Sequence, residues 1–334
     1  MTETNTTPRR RGRRRPLIIG LVVVLSALVA AGGLLAVYAL SINKTLSGNI
    51  HHGATLPPES SRPTDPEPTS KSANKPVNFV LMGSDSRDPG NEGAGRSDTL
   101  MVLHLTADRR HAYIISFPRD MWVDIAGHGK AKINAAYAYG GTALTVQTLE
   151  SMLGVRMNHL AVIDFEGFIK LTDDLGGVTI DNEHAFTSNG THFPKGKITV
   201  SGEKALWFVR ERHQLPAGDF DRAKNQRKVV KAILDKALSA SVIADPARFN
   251  AFIGGFARSV TVDDGLTGNE IRALAMSIRM KGSGLVTLQA PVSGTGTSSD
   301  GQSIDIVDVP KLKELSQALR DDDMAGYVKK YPGD

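Results

Sequence analysis

From residue 77 onward, short apolar runs alternate with longer stretches in which apolar positions recur every three or four residues, as in strands interleaved with helices. The pattern predicts strands over 77–82, 99–105, 112–117, 161–165, 178–180, 205–209 and 285–290. It predicts helices over 143–152, 165–175, 222–238, 246–256, 268–280 and 309–319. No repeat of 20 to 50 residues and no linker-like break interrupts this region, so 77–334 reads as one α/β domain.

The first 76 residues follow different rules. Residues 17–40 are 24 consecutive positions without a charge, rich in Leu, Val, Ile and Ala, and as a helix they would extend about 36 Å, enough to cross a hydrocarbon core of about 30 Å. A cleaved signal peptide has a shorter apolar region, about 7 to 15 residues, followed by a small-residue cleavage site that is missing here. An uncleaved anchor is therefore expected. Residues 1–16 hold Arg9, Arg10, Arg11, Arg13, Arg14 and Arg15, which places them on the cytoplasmic side of the membrane and everything after 40 outside it. Residues 41–76 contain Pro57, Pro58, Pro63, Pro66, Pro68 and Pro76 among Ser, Thr and Asn, the composition of a tether. His51 and His52 fall in that stretch and read as solvated.

Charge changes the picture once it is located. The 334 residues carry 40 Lys and Arg against 35 Asp and Glu, a net +5. The basic tail with its single Glu3 accounts for all of it, so the remaining 318 residues carry no net charge. The basic balance is thus a feature of the tail, and no nucleic-acid partner is expected for the domain. The absence of cysteine excludes disulfides, thiolate metal sites and a cysteine nucleophile.

The candidate chemistry gathers at strand ends, where ligands collect in α/β sheets. The run from Asn78 to Gly83 leads into Asp85 and Arg87; Arg96 and Asp98, two apart, open the next strand; a third ends at Arg119 and Asp120; and the run 205–209 leads to Arg210 and Arg212. The helix that follows adds a polar end to an inward stripe, because positions 222, 226, 229, 233 and 237 read Arg222, Gln226, Val229, Ile233 and Ala237. Gly218 to Asp221 precede it as a cap, with free N–H groups and positive dipole charge to meet an anion. Several planar guanidiniums, each able to bind phosphate oxygens in pairs, fit a polyanion. Carboxylates beside them would repel it unless a divalent cation lies between, which makes Asp85 and Asp98 the candidate ligands of Mg²⁺, or of Mn²⁺ with the same oxygen donors.

Other motifs carry nothing. Ser201 to Lys204 and Ser41 to Lys44 match a serine-hydrolase tetrapeptide without its companions, and no phosphate-binding G-x-x-x-x-G-K-[ST] or zinc H-E-x-x-H occurs. The run Asp321 to Asp323 reads as a solvated turn.

Taken together, NFVLMGSDSR (78–87), GRSDT (95–99), SFPRD (116–120), KINAAYAYGG (132–141), DFEGF (164–168), VRER (209–212) and the stretch from Gly218 to Gln226, behind an N-terminal anchor, resemble the LytR-CpsA-Psr family of cell-envelope proteins, in particular its actinobacterial members. The resemblance implies a three-layer α/β/α sandwich with a mixed central sheet, preceded by one transmembrane helix. It implies transfer of a phosphoglycan from a polyprenyl-pyrophosphate carrier to peptidoglycan, with the muramic acid C6 hydroxyl as expected acceptor. By motif, the metal ligands fall on Asp85 and Asp98, and the pyrophosphate ligands on Arg87, Arg96, Arg119, Arg210, Arg212, Arg222 and Gln226. Asp85, Asp98 and Arg119 form the expected catalytic set. Many relatives have Arg-Gln-Gln where this chain has Asn225-Gln226-Arg227, so one expected guanidinium is either missing or displaced by two positions. Lipid pyrophosphate hydrolysis and a non-catalytic envelope role are the alternative readings.

Overall fold

The structure is a computed structural model that describes residues 49–64, 74–84, 97–237, 239, 245–280 and 284–333. The expected anchor at 17–40 lies outside the described residues, and no helix within them is long and apolar enough to cross a membrane.

The chain passes through β1 (His51–His52), β2 (Val77–Ser84), β3 (Ser97–Leu105) and β4 (Ala112–Ser116). A hairpin of β5 (Trp122–Ile125) and β6 (Gly129–Lys132) precedes α1 (Ala135–Leu153), β7 (His159–Ile163) and α2 (Phe165–Asp174). Next come β8 (Val178–Asn182), β9 (Phe186–Ser188), β10 (Thr191–Phe193) and β11 (Gly196–Val200). They are followed by α3 (Gly202–Arg210), α4 (Asp219–Ala237), α5 (Pro246–Ser259), β12 (Thr261–Val262) and α6 (Gly268–Ser277). The final stretch holds β13 (Leu285–Gln289), a hairpin of β14 (Val292–Thr297) and β15 (Ser303–Val307), then α7 (Val309–Arg320) and α8 (Met324–Lys330).

Seven strands form the central sheet in the order β1-β12-β7-β2-β3-β4-β13. It is mixed: β2 pairs parallel with β7 and antiparallel with β3, and β4 pairs parallel with β13. Alternation along β2 sends Val80 and Met82 to one face, against Leu149 of α1 and Leu315 of α7, and Phe79 and Leu81 to the other, against Leu274 of α6. Helices therefore cover both faces, the usual fate of a sheet whose strands are apolar on both sides. A second core forms where Phe186, Phe193 and Phe208 pack ring to ring at 5.0 to 5.5 Å, beneath Val229 and Ile233 of α4.

Three readings of the sequence change. The apolar run at 205–209 is helix α3, not a strand: Ala205, Leu206, Phe208 and Val209 are buried, which is one helical face, and a short apolar run does not distinguish the two states. The proline-rich stretch is, over 49–64, laid against the domain. Its Arg62 is buried with Glu150 at 2.8 Å, and also donates to the Met157 carbonyl. The acidic run near the C-terminus is also engaged, since Asp322 pairs with the buried His104 at 3.0 Å and accepts from the Ala107 N–H, while Asp323 caps α8.

The sheet's far edge rests on one buried carboxylate. Asp263 accepts from the Leu160 N–H at 2.8 Å and the Gly265 N–H at 3.0 Å, beside the His159 ring. Burial opposes its charged form, but the hydrogen bonds from His159, Leu160 and Gly265 outweigh it and hold the carboxyl below its ordinary value. A depressed carboxyl adds stability that is present above the ordinary carboxylate range and lost as pH falls through the lowered value. Asp263→Ala, which strands the buried Leu160 N–H and loses the Gly265 bond, should cost about 1–3 kcal/mol in urea unfolding at neutral pH. The difference from wild type should shrink in acid; a variant as stable as wild type at pH 7 would show that the edge is held otherwise.

Candidate active site

The site lies at the carboxyl end of β4, where Ser116 gives way to Phe117-Pro118-Arg119-Asp120, and at the start of α4. The α4 stripe is inward as its spacing predicts: Arg222, Gln226, Val229, Ile233 and Ala237 are all buried. Gly218 has φ +55°, a left-handed conformation that glycine adopts without a Cβ penalty. It turns the chain into α4 and sets Asp219 in the first turn.

Asp219 is the hub. Its Oδ2 accepts from Arg119 Nε at 2.9 Å and from Arg222 Nη2 at 3.3 Å, and its Oδ1 lies 3.5 Å from Arg212 Nη1. Oδ1 is buried and receives no hydrogen bond among the described residues. Three guanidiniums drawn from stretches about 100 residues apart thus converge on one carboxylate. Arg119 also approaches Asp120 at 3.6 Å, and Asp120 pairs with Lys132 at 2.8 Å. Gln226 donates to the Val209 carbonyl at 3.3 Å, fixing α4 against the end of α3.

The VRER stretch divides its labour. Glu211 is structural: its Oε1 accepts the backbone N–H groups of Arg212, His213 and Gln214 at 2.8 to 3.1 Å, folding the loop that delivers Arg212. Burial raises its pKa, but these N–H bonds and one from the Ser188 hydroxyl prevail and hold it below the ordinary value. Arg210 is exposed and lies over the Phe165 ring at 4.6 Å, so it is not among the groups that meet Asp219. The displaced guanidinium of Arg227 is buried beneath the site and donates to Ser116 Oγ at 2.6 Å. In the KINAAYAYGG stretch, Lys132 is the partner of Asp120, and Gly140-Gly141 breaks α1, with Gly141 at φ 62°.

Asp85, Arg87 and Arg96 lie outside the described residues, as does the side chain of Asp98, whose backbone is in β3. Ser84, which precedes Asp85, pairs with Ser97, which precedes Asp98. The chain therefore brings the positions next to both aspartates side by side, and two carboxylates supply the hard oxygen donors that Mg²⁺ takes, so the donor set fits that ion. Among the described residues no cluster of three or more His, Asp or Glu side chains could hold a metal.

A small cavity of about 20 Å³ opens between Ser116, Arg119, Asp219, Arg222, Gln226 and Asp305. Asp305, on β15, is a member the sequence did not single out. Its N–H donates to the Asp120 carbonyl at 2.8 Å, and a bridge to Met121 locks the C-terminal hairpin onto the Arg119 loop. Burial first, then the charges of Asp120 and Asp219, push its carboxyl up to about 6, against the opposing pull of Lys132 and Arg119.

The cluster depends on its central anion. Asp219→Asn removes the charge that holds Arg119, Arg212 and Arg222 together and should lower stability by about 1–3 kcal/mol, measured by urea unfolding at low salt. An unchanged midpoint would show that the guanidiniums are held in place by other groups.

The chain as a whole is similar to known proteins. The LytR_cpsA_psr family model matches residues 44–321. A protein of Bacillus mycoides (strain KBAB4) named polyisoprenyl-teichoic acid--peptidoglycan teichoic acid transferase TagU is 36% identical over 235 residues, covering 69% of this chain and 74% of that protein. The protein of the same name from Enterococcus faecalis (strain ATCC 700802 / V583) is 33% identical over 247 residues, 74% of this chain and 79% of that one. The crystal structure of B. subtilis TagV superposes with a TM-score of 0.63 at 29% identity, covering 75% of this chain and 98% of TagV. The residues gathered at the end of β4 and the start of α4 therefore sit in a chain that belongs to the LytR-CpsA-Psr family.

Proposed function

We propose that this chain transfers a phosphoglycan from a polyprenyl-pyrophosphate carrier to peptidoglycan, from a domain held outside the membrane by a helix at 17–40. The observation that carries this reading is the convergence of Arg119, Arg212 and Arg222 on one carboxylate, a geometry suited to the oxygens of a diphosphate. The names of the TagU relatives support it, since each denotes transfer of teichoic acid from a polyisoprenyl carrier to peptidoglycan.

In this mechanism the acceptor hydroxyl, for which the muramic acid C6 position is proposed, attacks the glycan-bearing phosphorus. Polyprenyl phosphate leaves with the bridging oxygen. Transfer of this kind is catalysed chiefly by positioning and by neutralising charge that shifts among phosphate oxygens. Arg119 and Arg222 bind those oxygens, Arg212 reaches them from the α3–α4 loop, and Gln226 orients α4 beneath them. Arg87, Arg96 and Arg210 are proposed to extend the diphosphate's hold. Asp85 and Asp98 would hold Mg²⁺ or Mn²⁺, which supplies further neutralisation of the diphosphate when bound.

Removing one charge-stabilising donor typically costs about 2.7–4 kcal/mol, a factor of about 10² to 10³ in rate. Arg119→Ala should therefore lower transfer of labelled glycan from its lipid carrier to peptidoglycan by about two to three orders of magnitude. Unchanged turnover would remove Arg119 from the catalytic set. Product formed equally well without peptidoglycan would replace transfer with hydrolysis of the lipid pyrophosphate.

A further inference from the structure

The cavity at the heart of the site is lined by carboxylates in different states. Asp219 is engaged by Arg119 and Arg222. Asp305 differs: it is buried, faces the same cavity as Arg119 and Arg222, and among the described residues its carboxyl accepts no hydrogen bond. Its backbone is held to the Arg119 loop by the bond to the Asp120 carbonyl and the bridge to Met121, so the fold sets its place beside the cavity. The cavity of about 20 Å³ has room for about one oxygen-sized group, between cations that would bind a phosphate and a carboxyl with lone pairs to spare.

We propose that Asp305 is the general base of the transfer reaction, accepting the proton of the acceptor hydroxyl as that oxygen bonds to phosphorus. This inference rests on the transferase reading above. In the step, the acceptor O–H bond breaks with its proton going to the Asp305 carboxylate, and the new O–P bond forms. The bond from phosphorus to the bridging oxygen breaks, and polyprenyl phosphate carries away that electron pair. The proton then passes to solvent once the product has left.

Burial and the charges of Asp120 and Asp219 leave Asp305 with a pKa of about 6, against the pull of Lys132 and Arg119. The efficiency of a general base is greatest when its pKa lies near the working pH. Below that value Asp305 is protonated and cannot accept, so turnover should fall as pH drops through about 6.

The test uses the full chain in nanodiscs, Mg²⁺, peptidoglycan and labelled polyprenyl-pyrophosphate-linked glycan extracted from the host's own membranes. Asp305→Asn should lower kcat by about 10² to 10⁴, with little change in donor KM or thermal midpoint. The acid limb of the wild-type kcat profile should disappear, and Asp305→Glu should recover part of the rate. Undiminished kcat, or an unaltered acid limb, in Asp305→Asn would overturn the base and leave the transferase reading standing. Loss of donor binding or of folding in Asp305→Asn, with no recovery in Asp305→Glu, would assign Asp305 a structural role and equally overturn it. A wild type that makes no peptidoglycan-linked product would overturn the transferase reading, and the base with it.

Discussion

Like charges held close together need an anion between them, and the site is organised around that constraint. Two unit charges about 4 Å apart in a partly buried setting of effective dielectric near 20 interact by about 4 kcal/mol. Arg119, Arg212 and Arg222 all approach Asp219, which stands between them. The same convergence suits a ligand whose oxygens can take the carboxylate's place. A diphosphate offers more oxygens and more charge than one carboxylate, which is the physical basis for reading Asp219 as a resident counter-anion in a site built for phosphate.

The fold supplies the convergence from distant parts of the chain. Strand β4, buried along its whole length, delivers Arg119 at its carboxyl end. Helix α4 delivers Asp219, Arg222 and Gln226 on one stripe, and Val229 and Ile233 anchor that stripe in the second core. Glu211 gathers the N–H groups of its loop to bring Arg212 across. The β14–β15 hairpin closes the remaining side through Asp305. Each of these side chains thus stands on an element or loop fixed by packing or by a capped backbone, which limits the reorganisation a transition state would demand.

Much of this was legible in the sequence, for identifiable reasons. The period of 3.6 residues placed Arg222 and Gln226 on the buried stripe of α4, because polar residues on an apolar face stand out against it. The strands at 77–82, 99–105 and 112–117 were legible as apolar runs ending in charge. Helix α3 was not, because Ala205 to Val209 is a compact apolar run that serves either state until its burial is known. Asp219 read as a helix cap, and its pairing with Arg119 spans 100 residues, a separation that no local pattern encodes. Asp305 lies between Ile304 and Ile306 in a hairpin otherwise rich in Gly, Ser and Thr, where no local pattern marks it as part of the site. The pairs Arg62 with Glu150 and His104 with Asp322 were missed for the same reason: each is a contact between distant segments.

The most direct test of the central claim is a crystal structure of the domain with farnesyl pyrophosphate and Mg²⁺. The account predicts diphosphate oxygens within hydrogen-bond reach of Arg119, Arg212 and Arg222, with the Asp219 carboxylate released from at least one of them. A diphosphate bound on another face, with the pairing of Arg119 and Asp219 unaltered, would contradict it.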